Sequence, residues 1–135
     1  MHNSTPAVRT TGLTCYYGSK AALRGLTLDV PRGQVTALIG HNGAGKTTLI
    51  RLLLGMHSPT RGTCQLLGCD SAELTPEIRS RVGYLAEGHF LWGWMRARDA
   101  ARFQRETFPR WDQKLFDNML QFFGVSPDAK VNQIS

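Results

Sequence analysis

The sequence predicts an α/β fold: antiparallel strands lead, a strand–glycine loop–helix unit follows, and helices close the 135-residue chain. Three observations predict it. Leu26, Leu28 and Val30 alternate with Thr27 and Asp29 and run into the turn signal Pro31-Arg32-Gly33, the period-two pattern of a half-buried strand. An apolar run at 35–39 stops at the stretch GHNGAGKT, and apolar residues resume at helical spacing straight after it. From Arg96 onward the pattern is helical.

Taken in order, residues 8–17 and 26–30 read as strands, and the Pro31-Arg32-Gly33 turn joins the second of them to the next as a hairpin. Residues 35–39 form a short strand of the kind buried on both faces of a sheet. Residues 45 to about 55 are helical, with Leu49, Ile50, Leu52, Leu53 and Leu54 as a wide apolar face and Gly55 as the stop. Residues 62–67 form another strand. A short helix over 76–81 takes Thr75 as its N-cap, and residues 82–86 return to a strand. Residues 98–107 form a helix that Pro109 breaks. The last helix covers about 110–123. Trp111, Leu115, Phe116, Met119, Leu120, Phe122 and Phe123 line one side of it, a stripe expected to be core, and Gly124 closes it. A β-rich part over about 1–95 and a helical part over about 96–135 make up one domain.

The bulk numbers fit that picture. The length suits a single domain with its own core, and 41% hydrophobic with 19% charged residues is the composition of an ordinary globular domain. Cys15, Cys64 and Cys69 are odd in number and form no C-x-x-C pair, which argues for free thiols in a reducing compartment and against zinc or a disulfide framework. The opening MHNSTPAVRT has neither the basic nor the apolar region of a signal peptide, and no apolar run reaches bilayer length. A cytoplasmic location is expected. The net charge of +6 is uneven: residues 1–69 carry seven Lys and Arg against the single acid Asp29. A basic half suits nucleic acid, an anionic membrane, a phosphorylated small molecule or only a solvated surface, and charge alone does not choose among them.

The chemistry concentrates at Gly40, His41, Asn42, Gly43, Ala44, Gly45, Lys46 and Thr47, which match G-x-x-x-x-G-K-[ST]. Glycines at these places permit backbone angles that turn several N–H groups into one concavity. The helix beginning near Gly45 aims its partial positive end at the same point. Lys46 adds a full charge toward the β- and γ-phosphates, and the Thr47 hydroxyl suits Mg²⁺. At His41 the backbone matters more than the ring. The stretch through Thr48 is expected to grip a nucleoside triphosphate with Mg²⁺. Phosphate loops of this kind serve kinases, GTPases, motors and transporters alike, so the flanks must discriminate.

Those flanks resemble a family. LTCYYGSKAALRGLTLDVPRGQVTALIGHNGAGKTTLIRLLLGMHSPTRGTCQLLG is similar to the N-terminal half of an ABC-type ATP-binding domain, and the likeness extends through most of the chain. The resemblance implies an α/β P-loop NTPase core with N-terminal antiparallel strands and the start of a helical subdomain. It implies ATP and Mg²⁺ as ligands. It also implies an aromatic that stacks on adenine: Tyr17 occupies that place, with Tyr16 as the neighbour that could substitute. RVGYLAEGHFLWGWM resembles the family's Q-loop region, where Glu87 stands in place of the usual Gln. A carboxylate there is a hard ligand for Mg²⁺, close to the attacking water. The apolar loop that follows (Phe90, Leu91, Trp92, Trp94, Met95) borders the surface on which the family docks a membrane subunit; core packing is the competing account. Arg98, Arg102 and Arg105 share a helical face, Arg102 and Glu106 make an i,i+4 pair, and that face reads as solvated.

KVNQIS stands where the family's signature sequence begins, so these 135 residues read as an incomplete ABC ATPase domain. They hold no signature glycines, no second acidic motif and no switch histidine; His2, His41, His57 and His89 match none of those roles by pattern. The function implied is that of the ATP-binding subunit of an ABC transporter, catalytic through Lys46 and Glu87 in the complete domain. It would pair with a second ATP-binding domain and sit on the inner face of the cell membrane through a membrane-spanning partner, with no nucleic-acid ligand. Two alternatives stand beside it: a nucleotide- or partner-binding module without turnover, and a small P-loop kinase in which the apolar run before Glu87 ends in the metal-binding acid.

Overall fold

A computed structural model describes residues 5–85 and 91–134. The chain divides into two compact units, Met1–Arg81 and Val82–Ser135.

The first unit is built on a hairpin. Strand β1 (Val8–Tyr17) turns back through Gly18 and Ser19 into β2 (Lys20–Val30), with Tyr17 opposite Lys20 and Val8 opposite Val30. On its other edge β1 pairs with β3 (Arg61–Leu66), and β3 pairs with the two-residue β4 (Cys69–Asp70). The sheet order is β2-β1-β3-β4, antiparallel throughout. The expected alternation in β2 is present, with Leu26, Leu28 and Val30 half-buried between the exposed Thr27 and Asp29. Asp29 reaches across to Arg9, which donates from Nε and Nη2 at 2.9 and 2.8 Å. Those hydrogen bonds hold the Asp29 carboxyl below its ordinary range.

One face of the sheet is covered by helix α1 (Lys46–Leu53). Leu49 and Leu52, three apart and therefore on one side of the helix, close over Leu13, Cys15, Leu23 and Cys64. Burying each such leucine is worth about 1.5–3 kcal/mol. Thr10, also buried, donates its hydroxyl to the Leu26 carbonyl at 3.0 Å, so its polar atom is satisfied. Beyond β4 a single 3₁₀ turn, Ser71–Glu73, leads to helix α2 (Pro76–Arg79). Thr75 caps α2 as expected: its hydroxyl accepts from the Ile78 amide at 3.3 Å.

Two strand expectations are corrected. Residues 35–39 lie outside the sheet, with Val35 and Ile39 fully or nearly fully exposed. The Pro31-Arg32-Gly33 turn therefore leads into chain without regular secondary structure, and the hairpin forms between β1 and β2 instead. Residues 82–85 are likewise outside any strand, and Leu85 is exposed; residue 86 lies outside the described residues. The reason is the same in both places. A strand buried on two faces needs a ladder partner on each side and cover above and below. Among the described residues neither segment has one.

The second unit holds helices α3 (Ala97–Thr107) and α4 (Gln113–Phe122). Its interior is Met95, Ala97, Ala100 and Ala101. The approach to α3 is tied to the segment after α4: the Ala97 amide donates to the Ala129 carbonyl at 3.0 Å, Val131 donates to Met95 at 2.9 Å, and Asn132 donates to Gly93 at 3.2 Å. Asp128 accepts from Arg96 at 3.2 Å and also from Arg98. These bonds bring residues 91–96 into the helical unit. Arg102 meets Glu106 at 3.2 Å on the solvated face. The aromatic stripe of α4 is the third correction. Trp111, Phe116 and Leu120 are half-buried, whereas Leu115, Met119, Phe122 and Phe123 are exposed. Helical spacing shows which side of a helix is apolar, and no described element of this unit lies over that side.

Candidate functional site

The glycine-rich loop and the start of α1 form a site within the first unit. The Ala44 amide donates to the His41 carbonyl at 3.1 Å, closing a tight turn. Gly43 and Gly45 take φ of 85° and 93°, angles that L side chains rarely adopt. At Gly45 space is also short: a Cβ there would lie 2.5 Å from the Ala22 carbonyl oxygen and 2.8 Å from Leu23 Cδ2. The loop is thereby seated on β2, and α1 starts immediately after, with the Leu49 amide donating to the Gly45 carbonyl at 2.8 Å.

Lys46 folds over this loop. Its ammonium donates to the Gly40 carbonyl at 2.5 Å and the His41 carbonyl at 2.9 Å. No carboxylate pairs with it among the described residues, so its charge is free for an anion at the mouth of the loop. His41 turns its Nδ1 to the Asn42 carbonyl, 2.8 Å away. Thr47 is exposed and Thr48 half-buried in the first turn of α1. The arrangement sets a glycine-rich turn and the Lys46 ammonium at the N-terminus of α1, a combination of groups suited to an anion.

The two tyrosines separate by strand alternation. Leu13 and Cys15 are packed with α1, so Tyr17, two residues further, lies on the α1 face of β1, and Tyr16 lies on the other. Tyr17 stacks on His57, with ring centroids 5.1 Å apart and planes 15° from parallel. Tyr16 instead lines a groove of about 370 Å³ with Thr14, Arg24, Gly25, Thr60 and Arg61. Glu87, the expected metal-side acid, lies outside the described residues, as does Phe90. In the loop that follows, Leu91, Trp92 and Trp94 are exposed, Trp92 and Trp94 stack with centroids 6.1 Å apart, and Met95 is buried. Sequence reasoning missed His57, because nothing in the spacing of two residues forty apart announces a stack.

Comparison with known proteins places this geometry in a family. The model of the ABC transporter family matches residues 23–135, and the chain belongs to that family. The bacitracin transport ATP-binding protein of Bacillus licheniformis is 31% identical over 123 residues, covering 91% of this chain and 40% of that protein. The Nod factor export ATP-binding protein I of Ralstonia nicotianae is 44% identical over 84 residues, covering 62% of this chain and 26% of that protein. The chain thus spans less than half the length of either relative. Among solved structures, an ATP-binding subunit of an ABC transporter superposes with a TM-score of 0.78 at 24% identity over 96% of this chain and 56% of that one. A dimeric ATP-binding cassette in a post-hydrolysis state with ADP and Pi superposes with a TM-score of 0.73 at 18% identity over 95% of this chain and 63% of that one. At those identities the likeness is one of fold. The fold it supports is the expected one, part of a P-loop ABC domain with an antiparallel sheet and helices.

Proposed function

We propose that the chain is the nucleotide-binding part of the ATP-binding subunit of an ABC transporter. The loop from Gly40 to Thr48 holds the triphosphate of ATP, and Lys46 swings from its own loop carbonyls onto the phosphates. Tyr17 stacks on the adenine. The observation that carries this reading is the Lys46 ammonium folded onto the Gly40 and His41 carbonyls of a loop whose Gly43 and Gly45 both stand at positive φ, in a chain whose family match begins at residue 23.

Mg²⁺ fits the same site. No cluster of three or more His, Cys, Asp or Glu gathers among the described residues, so a cation here would be held largely by phosphate oxygens, as Mg²⁺ in nucleotide sites commonly is. The Thr47 hydroxyl is the protein ligand proposed, with Glu87 as a second from the Q-loop region. Bound there, the ion would neutralise phosphate charge.

In the complete domain the partners proposed are a membrane-spanning subunit, docked beside the exposed Leu91, Trp92 and Trp94, and a second ATP-binding domain. No described helix is long and apolar enough to cross a membrane. The place proposed is peripheral, on the inner face of the cell membrane through that subunit, with nucleotide and not nucleic acid as ligand.

The test is titration of the folded protein with a fluorescent ATP analogue and Mg²⁺. Lys46→Ala is expected to weaken binding 10-fold or more, about 1.4 kcal/mol and upward, as the loss of a charge-assisted contact implies. Equal affinities would overturn the assignment. A second reading, a partner-binding module without turnover, is favoured by the exposure of Val35, Ile39 and Leu85. Phosphate release abolished by Lys46→Ala would decide against it.

A further inference from the structure

We infer that His57 is a positioning residue for the adenine platform: its imidazole backs the Tyr17 ring, fixes the ring's orientation, and leaves the opposite face for the base. The inference rests on the proposed stacking of adenine on Tyr17 and adds a residue to that site. Three observations meet here. The rings are stacked at 5.1 Å and 15° from parallel. Tyr17 nevertheless keeps 44% of its surface exposed, so the stack with His57 leaves surface of this residue open to a ligand.

The third observation is how His57 is delivered. Its loop is fastened at both ends. On one side the Met56 amide donates to the Arg51 carbonyl at 2.9 Å, tying the loop to the last turn of α1. On the other the Thr60 amide donates to the Thr14 carbonyl at 2.8 Å, and the Thr60 hydroxyl accepts from the Tyr16 amide at 3.1 Å. Helix α1 therefore carries the phosphate loop at its N-terminus and the support of the base platform beyond its C-terminus.

The physical effect is preorganisation. An exposed tyrosine at a strand end samples several rotamers, and a base binding to it must immobilise the ring. A stacked imidazole has already done so. Ordering one side chain on binding costs about 0.5–1.5 kcal/mol, so removing the support should weaken ATP binding by about 2- to 13-fold and leave recognition of phosphate alone untouched.

The experiment compares Mg²⁺-ATP with Mg²⁺-tripolyphosphate, which shares the phosphates and lacks the base, by calorimetric titration of the wild-type protein and of His57→Ala, His57→Leu and His57→Phe. His57 is exposed, so these changes leave the core intact, and melting by circular dichroism checks that each variant is folded. Expected are weaker ATP binding in His57→Ala and His57→Leu, wild-type affinity in His57→Phe, and one common affinity for tripolyphosphate. Unchanged ATP binding in His57→Ala overturns the inference, and so does tighter binding, which would mean that the imidazole competes with the base. A folded His57→Phe that fails to restore affinity also overturns it. Tyr17→Ala is the control for the underlying reading. If it leaves ATP binding unchanged, the platform itself is wrong and the inference falls with it. If Tyr17→Ala weakens ATP binding and His57→Ala does not, the platform stands and only the role of His57 fails.

Discussion

Tyr16 and Tyr17 are chemically identical neighbours, and their difference is one of direction. Tyr17 follows Cys15 onto the α1 face of the sheet and meets His57, whereas Tyr16 enters the groove with Arg24 and Arg61. Tyr17→Ala is therefore expected to cost ATP binding roughly 1–3 kcal/mol, the range for base–aromatic stacking, with Tyr17→Trp nearly neutral. Tyr16→Ala should leave affinity within about twofold, since its ring lies on the other face of β1. Nucleotide titration of the three variants checks this, and a damaging Tyr16→Ala would move the platform by one residue. At this scale the loop that carries the proposal was legible. The spacing of Gly40, Gly43, Gly45, Lys46 and Thr47 names a phosphate loop, because each residue type meets a local backbone demand. The placement of His57 was not legible, because its stack on Tyr17 is a tertiary contact.

Elements sharing one backbone conformation can differ in how much they depend on their surroundings, and the two positive-φ glycines of the loop make this measurable. A Cβ at Gly43 would meet nothing within 4 Å, whereas one at Gly45 would strike the Ala22 carbonyl of β2. Gly43→Ala should then cost only the left-handed strain, about 1–2 kcal/mol. Gly45→Ala should cost more than about 3 kcal/mol, because the loop–helix junction must also lift off the sheet. Urea unfolding of the two variants gives the comparison, and equal losses would refute the close seating on β2. The same dependence on neighbours explains which elements the sequence foretold. The Thr75 cap and the apolar face of α1 follow from local chemistry and were readable. The strand at 35–39 and the buried α4 stripe needed partners that local pattern does not supply. The β1–β2 hairpin did leave a signal, a two-residue Gly18-Ser19 turn between apolar runs, which the expected start of the second strand at Leu26 passed over.

Across the whole molecule, chemical probes are partitioned between the two units. Cys15, Cys64 and Cys69 all lie in Met1–Arg81, while Trp92, Trp94 and Trp111 all lie in Val82–Ser135. Cys15 and Cys64 are in the core beneath α1, and burial pushes both thiols above their ordinary pKa. The thiolate is the reactive form, so in the native state both should resist alkylation, while the half-buried Cys69 reacts first. Labelling of Cys15 and Cys64 at rising urea then follows the opening of the unit that contains the glycine-rich loop, and tryptophan emission follows the other unit. A ligand that binds only the folded form at 100 times its Kd adds about 2.7 kcal/mol of stability. With a urea dependence of about 1–3 kcal/mol per molar, saturating Mg²⁺-ATP should move the labelling of Cys15 and Cys64 to higher urea by about 1–3 M. With binding weakened about 10-fold, Lys46→Ala should cut that shift by about half or more without changing which cysteine reacts first, because Lys46 bonds to the loop carbonyls and is not among the core residues beneath α1. Mass spectrometry of the alkylated peptides reads both results. A shift undiminished in Lys46→Ala would place the ATP elsewhere than the glycine loop, and early alkylation of Cys15 would contradict the packing of α1 on the sheet.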